Sequence, residues 1–227
     1  MSKSNDEDKR PVFSRWRNSE VSRNFHRLGL LVAALILAAG LGRRFGGAKL
    51  TAPLRGRPLV SYALDVAGRA RATGLLTDLR IVVAPSDEAV TRLARDAGAA
   101  PLSNPSPERG LSSSLRLGLA ALDAEAALVL LADQPLVRLD VVAVLVAAWH
   151  ERLGALIRPR YAGTPDEPGH PVLLDRTLWP LADRLEGDAG IGRLLPAGTP
   201  GVALIDLPGS NPDVDTPADL HLLEGPA

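Results

Sequence analysis

An unbroken apolar run, Leu30-Leu31-Val32-Ala33-Ala34-Leu35-Ile36-Leu37-Ala38-Ala39, leads directly into Gly40-Leu41-Gly42-Arg43-Arg44-Phe45-Gly46-Gly47-Ala48-Lys49. A strand with no polar alternation has no face to give to water, so it must be covered on both sides, the condition of a strand inside a parallel sheet. The run is too short to cross a bilayer as a helix. A basic stretch before an apolar run also fits a signal peptide, but a glycine-rich basic loop makes sense after a buried strand and little sense after a cleavage site. The run therefore reads as the first strand of a sheet, and the chain is expected to work in the cytoplasm, away from membranes. Residues 1–28 are polar and charged without a sustained apolar period and are expected to form a disordered arm. An α/β domain could begin near Gly29, in which case the arm reflects an upstream start codon.

Downstream, apolar strands alternate with helical segments. Strands are expected at Leu79–Ala84, Ala100–Leu102, Ala127–Ala132, Ala155–Pro159, His170–Leu174 and Val202–Leu207. Helices are expected from Leu59 to Arg71, Asp87 to Ala97 behind a Ser86 cap, Ser112 to Leu122, Leu139 to Leu153, Asp175 to Leu185, Gly190 to Leu195 and from Pro217 onward. Such alternation predicts an α/β fold: a Rossmann-like, doubly wound, mostly parallel sheet with helices on both faces. No internal repeat or long linker divides residues 29–227, which read as a single domain. Ligands of such sheets bind beyond the carboxyl ends of the strands.

Composition narrows the chemistry. The chain of 227 residues has no cysteine, which excludes a disulfide scaffold, a thiolate metal site and a cysteine nucleophile. Its 26 basic and 26 acidic side chains cancel, against a general nucleic-acid binder. Lysine is scarce: Lys3, Lys9 and Lys49 stand beside 23 arginines, and beyond the arm Lys49 is alone.

That lysine closes the glycine-rich loop. A Walker A loop needs lysine directly after its second glycine, but Ala48 separates Gly47 from Lys49. A dinucleotide fingerprint needs a third glycine where Phe45 stands after Gly40 and Gly42. What remains is small residues that let backbone N–H groups approach an anion, with three cations (Arg43, Arg44 and Lys49) on the same loop. The combination suits a polyphosphate, and an ammonium kept among arginines suits a need for a point charge. The carboxylate counterpart comes from Asp133-Gln134-Pro135 after a buried strand and from Asn211-Pro212-Asp213-Val214-Asp215-Thr216-Pro217 before the last helix. Asp213 or Asp215 alone is commonly a turn or cap residue; Asp133 and Asp215 together could bridge Mg²⁺ to phosphate oxygens.

From about Leu30 to Leu223 the chain resembles the molybdenum-cofactor nucleotidyltransferases, in particular the cytidylyltransferases. The resemblance rests on Leu37-Ala38-Ala39-Gly40 through Lys49, Gly110-Leu111-Ser112-Ser113-Ser114-Leu115-Arg116, Asp133-Gln134-Pro135, Gly169-His170-Pro171, Gly187-Asp188-Ala189-Gly190 and Asp213-Val214-Asp215-Thr216-Pro217. It implies a nucleotide-diphospho-sugar transferase-like domain that uses CTP and Mg²⁺ and passes the cytidylyl group to a phosphate of molybdopterin, expelling pyrophosphate. By the same resemblance the backbone at Ala38, Ala39 and Gly40 and the turn Ser112, Ser113 and Ser114 would hold base and ribose, with Gly42, Arg43 and Gly110 also at the nucleotide. Arg44 and Lys49 would neutralise the triphosphate, and Asp133 and Asp215 would carry the metal, with Lys49, Arg44 and Asp133 as the catalytic set. Ala39 bears on base choice, since guanylyl-transferring relatives have Leu-Ala-Gly-Gly where this chain has Leu-Ala-Ala-Gly.

Other residues stay open on sequence. His170 is a general base or pterin contact, or an ordinary turn histidine; Asp188 either fixes a helix start or faces substrate; Ser112–Ser114 also suit a cap. His150 reads as a surface residue, and Trp149 and Trp179 as core. The resembled family also contains nicotine blue oxidoreductases, so NAD(P)H-dependent reduction of a quinone-like pigment is the second reading, with Arg43 or Arg44 at a 2′-phosphate. A cofactor-inserting partner of a molybdoenzyme is a third.

Overall fold

The computed structural model describes residues 31–40, 42 and 44–225. The expected arm, 1–28, and Arg43 lie outside the described residues. Strands β1 (Val32–Ala38), β4 (Asp78–Val83), β5 (Ala100–Ser103), β6 (Ala126–Leu131), β7 (Leu156–Tyr161), β8 (Val172–Asp175) and β9 (Val202–Leu207) form one sheet in the order β5-β4-β1-β6-β8-β7-β9. Helices α1 (Val60–Ala72), α2 (Glu88–Asp96) and α4 (Leu139–His150) cover one face, and α3 (Leu111–Ala120) covers the other. A terminal helix, α5, spans Pro217–Glu224.

The apolar run does what its lack of alternation requires. Val32, Ala34, Ile36 and Ala38 belong to the core under α1 and α4, while Ala33, Leu35 and Leu37 belong to the core under α3. All seven β1 residues are buried, and β4 and β6 flank them in parallel. A Cβ on Gly118 would overlap the Leu35 side chain, so the glycine lets α3 lie directly on β1.

The parallel order breaks at β8, which runs antiparallel to both β6 and β7. The link from β7 to β8 contains no helix, and a parallel return needs a crossover of a dozen or more residues, usually helical. Four details depart from the sequence reading. A two-stranded hairpin, β2 (Pro53–Leu54) and β3 (Arg57–Pro58), stands where nothing was expected, turned by Arg55 and Gly56 at positive φ. The expected helices near 175–185 and 190–195 are 3₁₀ segments, Arg176–Arg184 and Ile191–Arg193; Pro180 removes a donor from the longer one. Asp87 caps α2 in place of Ser86, accepting from Val90 N at 3.1 Å. His150 is half-buried rather than on the surface, its ring 4.9 Å from that of Trp149, and burial pushes its pKa down to about 4. Trp149 is buried as expected, with its indole N–H on Asp175 at 2.8 Å.

Candidate active site

β1 and β6 are neighbours with Leu37 beside Leu131, so their carboxyl ends finish level. Ala132 N donates to Leu37 O at 3.1 Å, which sets the glycine-rich loop and Asp133 side by side. Between these strand ends opens a cleft of about 450 Å³. Ala38, Ala39, Gly40 and Gly42 line one side with Arg44 and Lys49. Asp133 and Asp215 line another, and Gly110, Ser114 and Asp188 close a third.

The centre of the cleft is a charge cluster. Lys49 Nζ donates to Asp133 Oδ2 at 2.7 Å and to Asp215 Oδ1 at 3.1 Å, while Arg44 reaches Asp215 Oδ2 at 2.9 Å. The Lys49 side chain is only 11% exposed, whereas Arg44 is 80% exposed. Burial on its own would depress the Lys49 pKa, but the charges and hydrogen bonds of Asp133 and Asp215 outweigh it and hold the pKa above the ordinary lysine value. The ammonium is therefore a permanent charge at the cleft floor.

Asp215 is aimed by its own backbone. Thr216 and Asp219 form a reciprocal capping box at the start of α5, and Asp219 also accepts from Asp215 N at 3.0 Å. Val214, fully buried, packs with Leu54, Leu59 and Leu220, so the β2–β3 hairpin absent from the sequence reading forms part of its seat. In an extended segment residues two apart share a face, and here Asp213 and Asp215 both turn toward the Asp133 loop.

That turn creates a network that sequence reasoning missed. Gln134 Nε2 donates to Asp213 at 2.7 Å, Asn211 Nδ2 donates to Gln134 Oε1 at 3.0 Å and to His170 O at 3.2 Å, and Val214 N donates to Asp133 O at 3.0 Å. Burial, then the negative charge of Asp133, pushes the Asp213 pKa up. The available signal was compositional: Gln134, Asn211 and Asp213 are polar residues in two loops that both leave strand ends, and buried polar groups seek each other.

The serine run divides between the cleft and the protein interior. The Ser112–Ser114 turn was expected at the nucleotide, and of its three serines Ser114 lines the cleft. Ser113 Oγ donates to Gly110 O at 2.8 Å and accepts from buried Asn104 at 2.9 Å, and Ser112 Oγ lies 3.5 Å from Arg109 O. Both face the protein because they occupy the first turn of α3, where hydroxyls serve local backbone groups. Asp188 holds a helix start, accepting from Leu111 N at 3.2 Å, and also borders the cleft. Gly110 (φ +80°) presses so closely on Gly187 that a Cβ would stand 2.5 Å from its carbonyl carbon. His170 does not line the cleft; it lines a second cavity beside it.

The carboxylates suit a hard divalent cation. Asp133 and Asp215 each place an oxygen on the same point, the Lys49 ammonium. Among the described residues no group of three or more His, Cys, Asp or Glu could hold a metal ion. An ion between the two aspartates would complete its shell with phosphate oxygens and water, as magnesium does.

A cationic glycine-rich loop facing one carboxylate at a strand end and another before the last helix of a doubly wound sheet marks a nucleotide site. The chain belongs to the MobA-like NTP transferase domain family, whose model matches residues 34–201, and it is a nucleotidyltransferase. The purine catabolism protein PucB of Bacillus subtilis is 29% identical over 202 residues, 83% of this chain and 94% of PucB. Rv0371c of Mycobacterium tuberculosis superposes with a TM-score of 0.71 at 28% identity, covering 87% of this chain and 99% of its own; a second structure, its complex with manganese, gives 0.71 at 26%, covering 85% and 97%. Molybdopterin-guanine dinucleotide biosynthesis protein A from Archaeoglobus fulgidus shares the fold, with a TM-score of 0.61 at 18% identity over 85% of this chain and 96% of its own. Among the described residues no helix is long and apolar enough to cross a membrane.

Proposed function

We propose that the protein transfers a cytidylyl group from CTP, with Mg²⁺, to the phosphate of a molybdopterin-type cofactor in the cytoplasm. A phosphate oxygen of the acceptor attacks the α-phosphorus, the bond to the β-bridging oxygen breaks, and pyrophosphate leaves with the electron pair. The observation that carries this reading is the Lys49–Asp133–Asp215 cluster at the floor of a cleft whose wall is a glycine-rich loop. Such a transfer needs in-line positioning and neutralisation of developing charge, with no protein nucleophile. Lys49 and Arg44 supply cations for the triphosphate, and small residues from Ala38 to Gly42 let backbone approach it. Asp133 and Asp215 would hold the divalent ion, which offsets phosphate charge and orients the leaving group. The manganese complex of Rv0371c supports a metal in this family fold. Ala39, where guanylyl-transferring relatives have glycine, supports cytosine over guanine.

The test is pyrophosphate release by purified protein given molybdopterin, Mg²⁺ and each nucleoside triphosphate separately. Release with CTP, lost in Asp133→Ala, is expected. No release with any triphosphate would overturn the reading. NADPH oxidation driven by a quinone-like pigment and indifferent to Asp133→Ala would replace it with the reductase.

A further inference from the structure

Beside the nucleotide cleft lies a second cavity of about 280 Å³, and the two share Leu37, Leu111 and Asp188 in their walls. Its floor is apolar, built from Leu115, Val129, Val172 and Leu174. Arg158, from β7, also lines it. The Arg158 Nε is buried with no hydrogen-bond partner, Nη2 donates to the carbonyl of Pro168, and no carboxylate forms an ion pair with the guanidinium among the described residues. A Cβ on Gly192 would overlap this guanidinium, so a glycine at that position makes room for it. Arg158 as a whole is half-buried, but a cationic N–H that has lost its water is normally matched by an acceptor, because an unmatched one forfeits its hydration without compensation.

The neighbouring groups do not supply the match. His170 is neutral near pH 7, since burial and then Arg158 itself push its pKa down to about 4. Arg193 adds a second cation to the lining. Asp188 is the one carboxylate there, and its Oδ1 already accepts the Leu111 N–H at 3.2 Å. The His170 carbonyl accepts from Tyr161 Oη at 2.9 Å and from Asn211, so this wall is tied to the network behind the nucleotide cleft.

We propose that this second cavity is the acceptor subsite, taking the ring of a small anionic acceptor on its apolar floor while Arg158 pairs with the acceptor's anionic group. The shared wall puts such an acceptor next to the nucleotide, where it must be for transfer. The inference rests on the nucleotidyl-transfer reading. The anion is a phosphate monoester or a carboxylate, which share the bidentate geometry that a guanidinium recognises.

Titration calorimetry on the full chain with phenyl phosphate, benzoate and uncharged phenol tests it. At least one of the two anions is expected to bind saturably, phenol to bind far more weakly, and the better anion to identify the source of the charge. In Arg158→Gln that anion is expected to bind about tenfold or more weaker, the loss of one charge-assisted contact. Arg158→Lys, which keeps the charge, is expected to lose less. Mg-CTP is expected to bind Arg158→Gln within about twofold of wild type and not to displace the probe. The proposal is overturned if neither anion saturates the wild type, if both variants bind it unchanged, if Mg-CTP displaces it, or if CTP affinity falls in parallel. Arg158-dependent binding without pyrophosphate release from any triphosphate would overturn the transferase reading and, with it, the acceptor role, leaving only anion binding at Arg158.

Discussion

Lys49 Nζ lies 2.7 Å from Asp133 Oδ2, across 84 positions of sequence, and the two face each other because β1 and β6 end level in the sheet. Each residue follows a buried parallel strand, and each projects beyond its carboxyl end. The ammonium is held charged by the carboxylates around it despite its burial.

Replacing that ammonium tests its role. Lys49→Arg keeps the charge but swaps a compact ion for a planar fork that two carboxylates already crowd. It is expected to lower kcat by about tenfold or more, and Lys49→Met by about 10²–10³, the range for removing a preorganised electrostatic partner. Steady-state pyrophosphate release measures both, and unchanged turnover in Lys49→Arg would remove Lys49 from the chemistry.

Gln134 joins the two acidic loops, donating to Asp213 and accepting from Asn211. Gln134→Leu leaves both partners without their bonds. Since a buried group deprived of its partner costs about 1–3 kcal/mol, urea unfolding should show a loss of that size. Turnover should fall as well, because Asp215 stands two residues from the loosened Asp213. Wild-type stability in this variant would mean the loops are held together by other contacts.

Gly110 combines a positive φ of +80° with backbone of Gly187 where a Cβ would go. Gly110→Ala is therefore expected to cost about 1–3 kcal/mol in backbone strain alone, with the overlap adding to it. Gly187→Ala, with φ +59° and nothing near its Cβ, should be milder on both counts, since Gly110 (ψ −170°) also lies in a backbone region open essentially to glycine alone. Equal thermal shifts in the two variants would show that neither the close approach nor the rarer backbone region of Gly110 adds a cost.

Stability should fall on mild acidification. His150 and His170 have pKa values lowered from 6.5 to about 4, so between these limits the unfolded chain binds more protons than the native one. Stability then rises with pH across that window and is complete above it. Urea midpoints at pH 7 and pH 5 should differ, and His150→Gln should shrink the difference. An undiminished difference in both His150→Gln and His170→Asn would assign the effect to carboxylates.

Much of the site was legible as motif. Ala38 to Lys49, Asp133 and Asp215 could be picked out because a strand end, a glycine-rich loop and a lone lysine are local features. The run Ser112–Ser114 could not be divided on sequence, because hydroxyls at a helix start serve either a ligand or the backbone, and the choice depends on which way the first turn of α3 faces. β8 was legible as a strand at His170–Leu174, but its antiparallel direction was not, because direction is set by the connection and not by an apolar run; the β2–β3 hairpin, with two residues a strand, is too short for alternation to register. Arg158 reads in sequence as one of many arginines; only its place over Gly192 and among apolar walls makes it a half-buried cation with an unmatched Nε.

The sequence by itself determined the α/β class, the strand that had to be buried on both faces, and the loops that follow strand ends, because hydrophobic period and backbone permissiveness are properties of neighbouring residues. The tertiary structure decided which of those loops meet: Lys49 with Asp133 and Asp215, Gln134 with Asn211 and Asp213, His170 with Arg158. Those meetings depend on strand order and register, and order and register come from the packing of whole faces rather than from any stretch of chain.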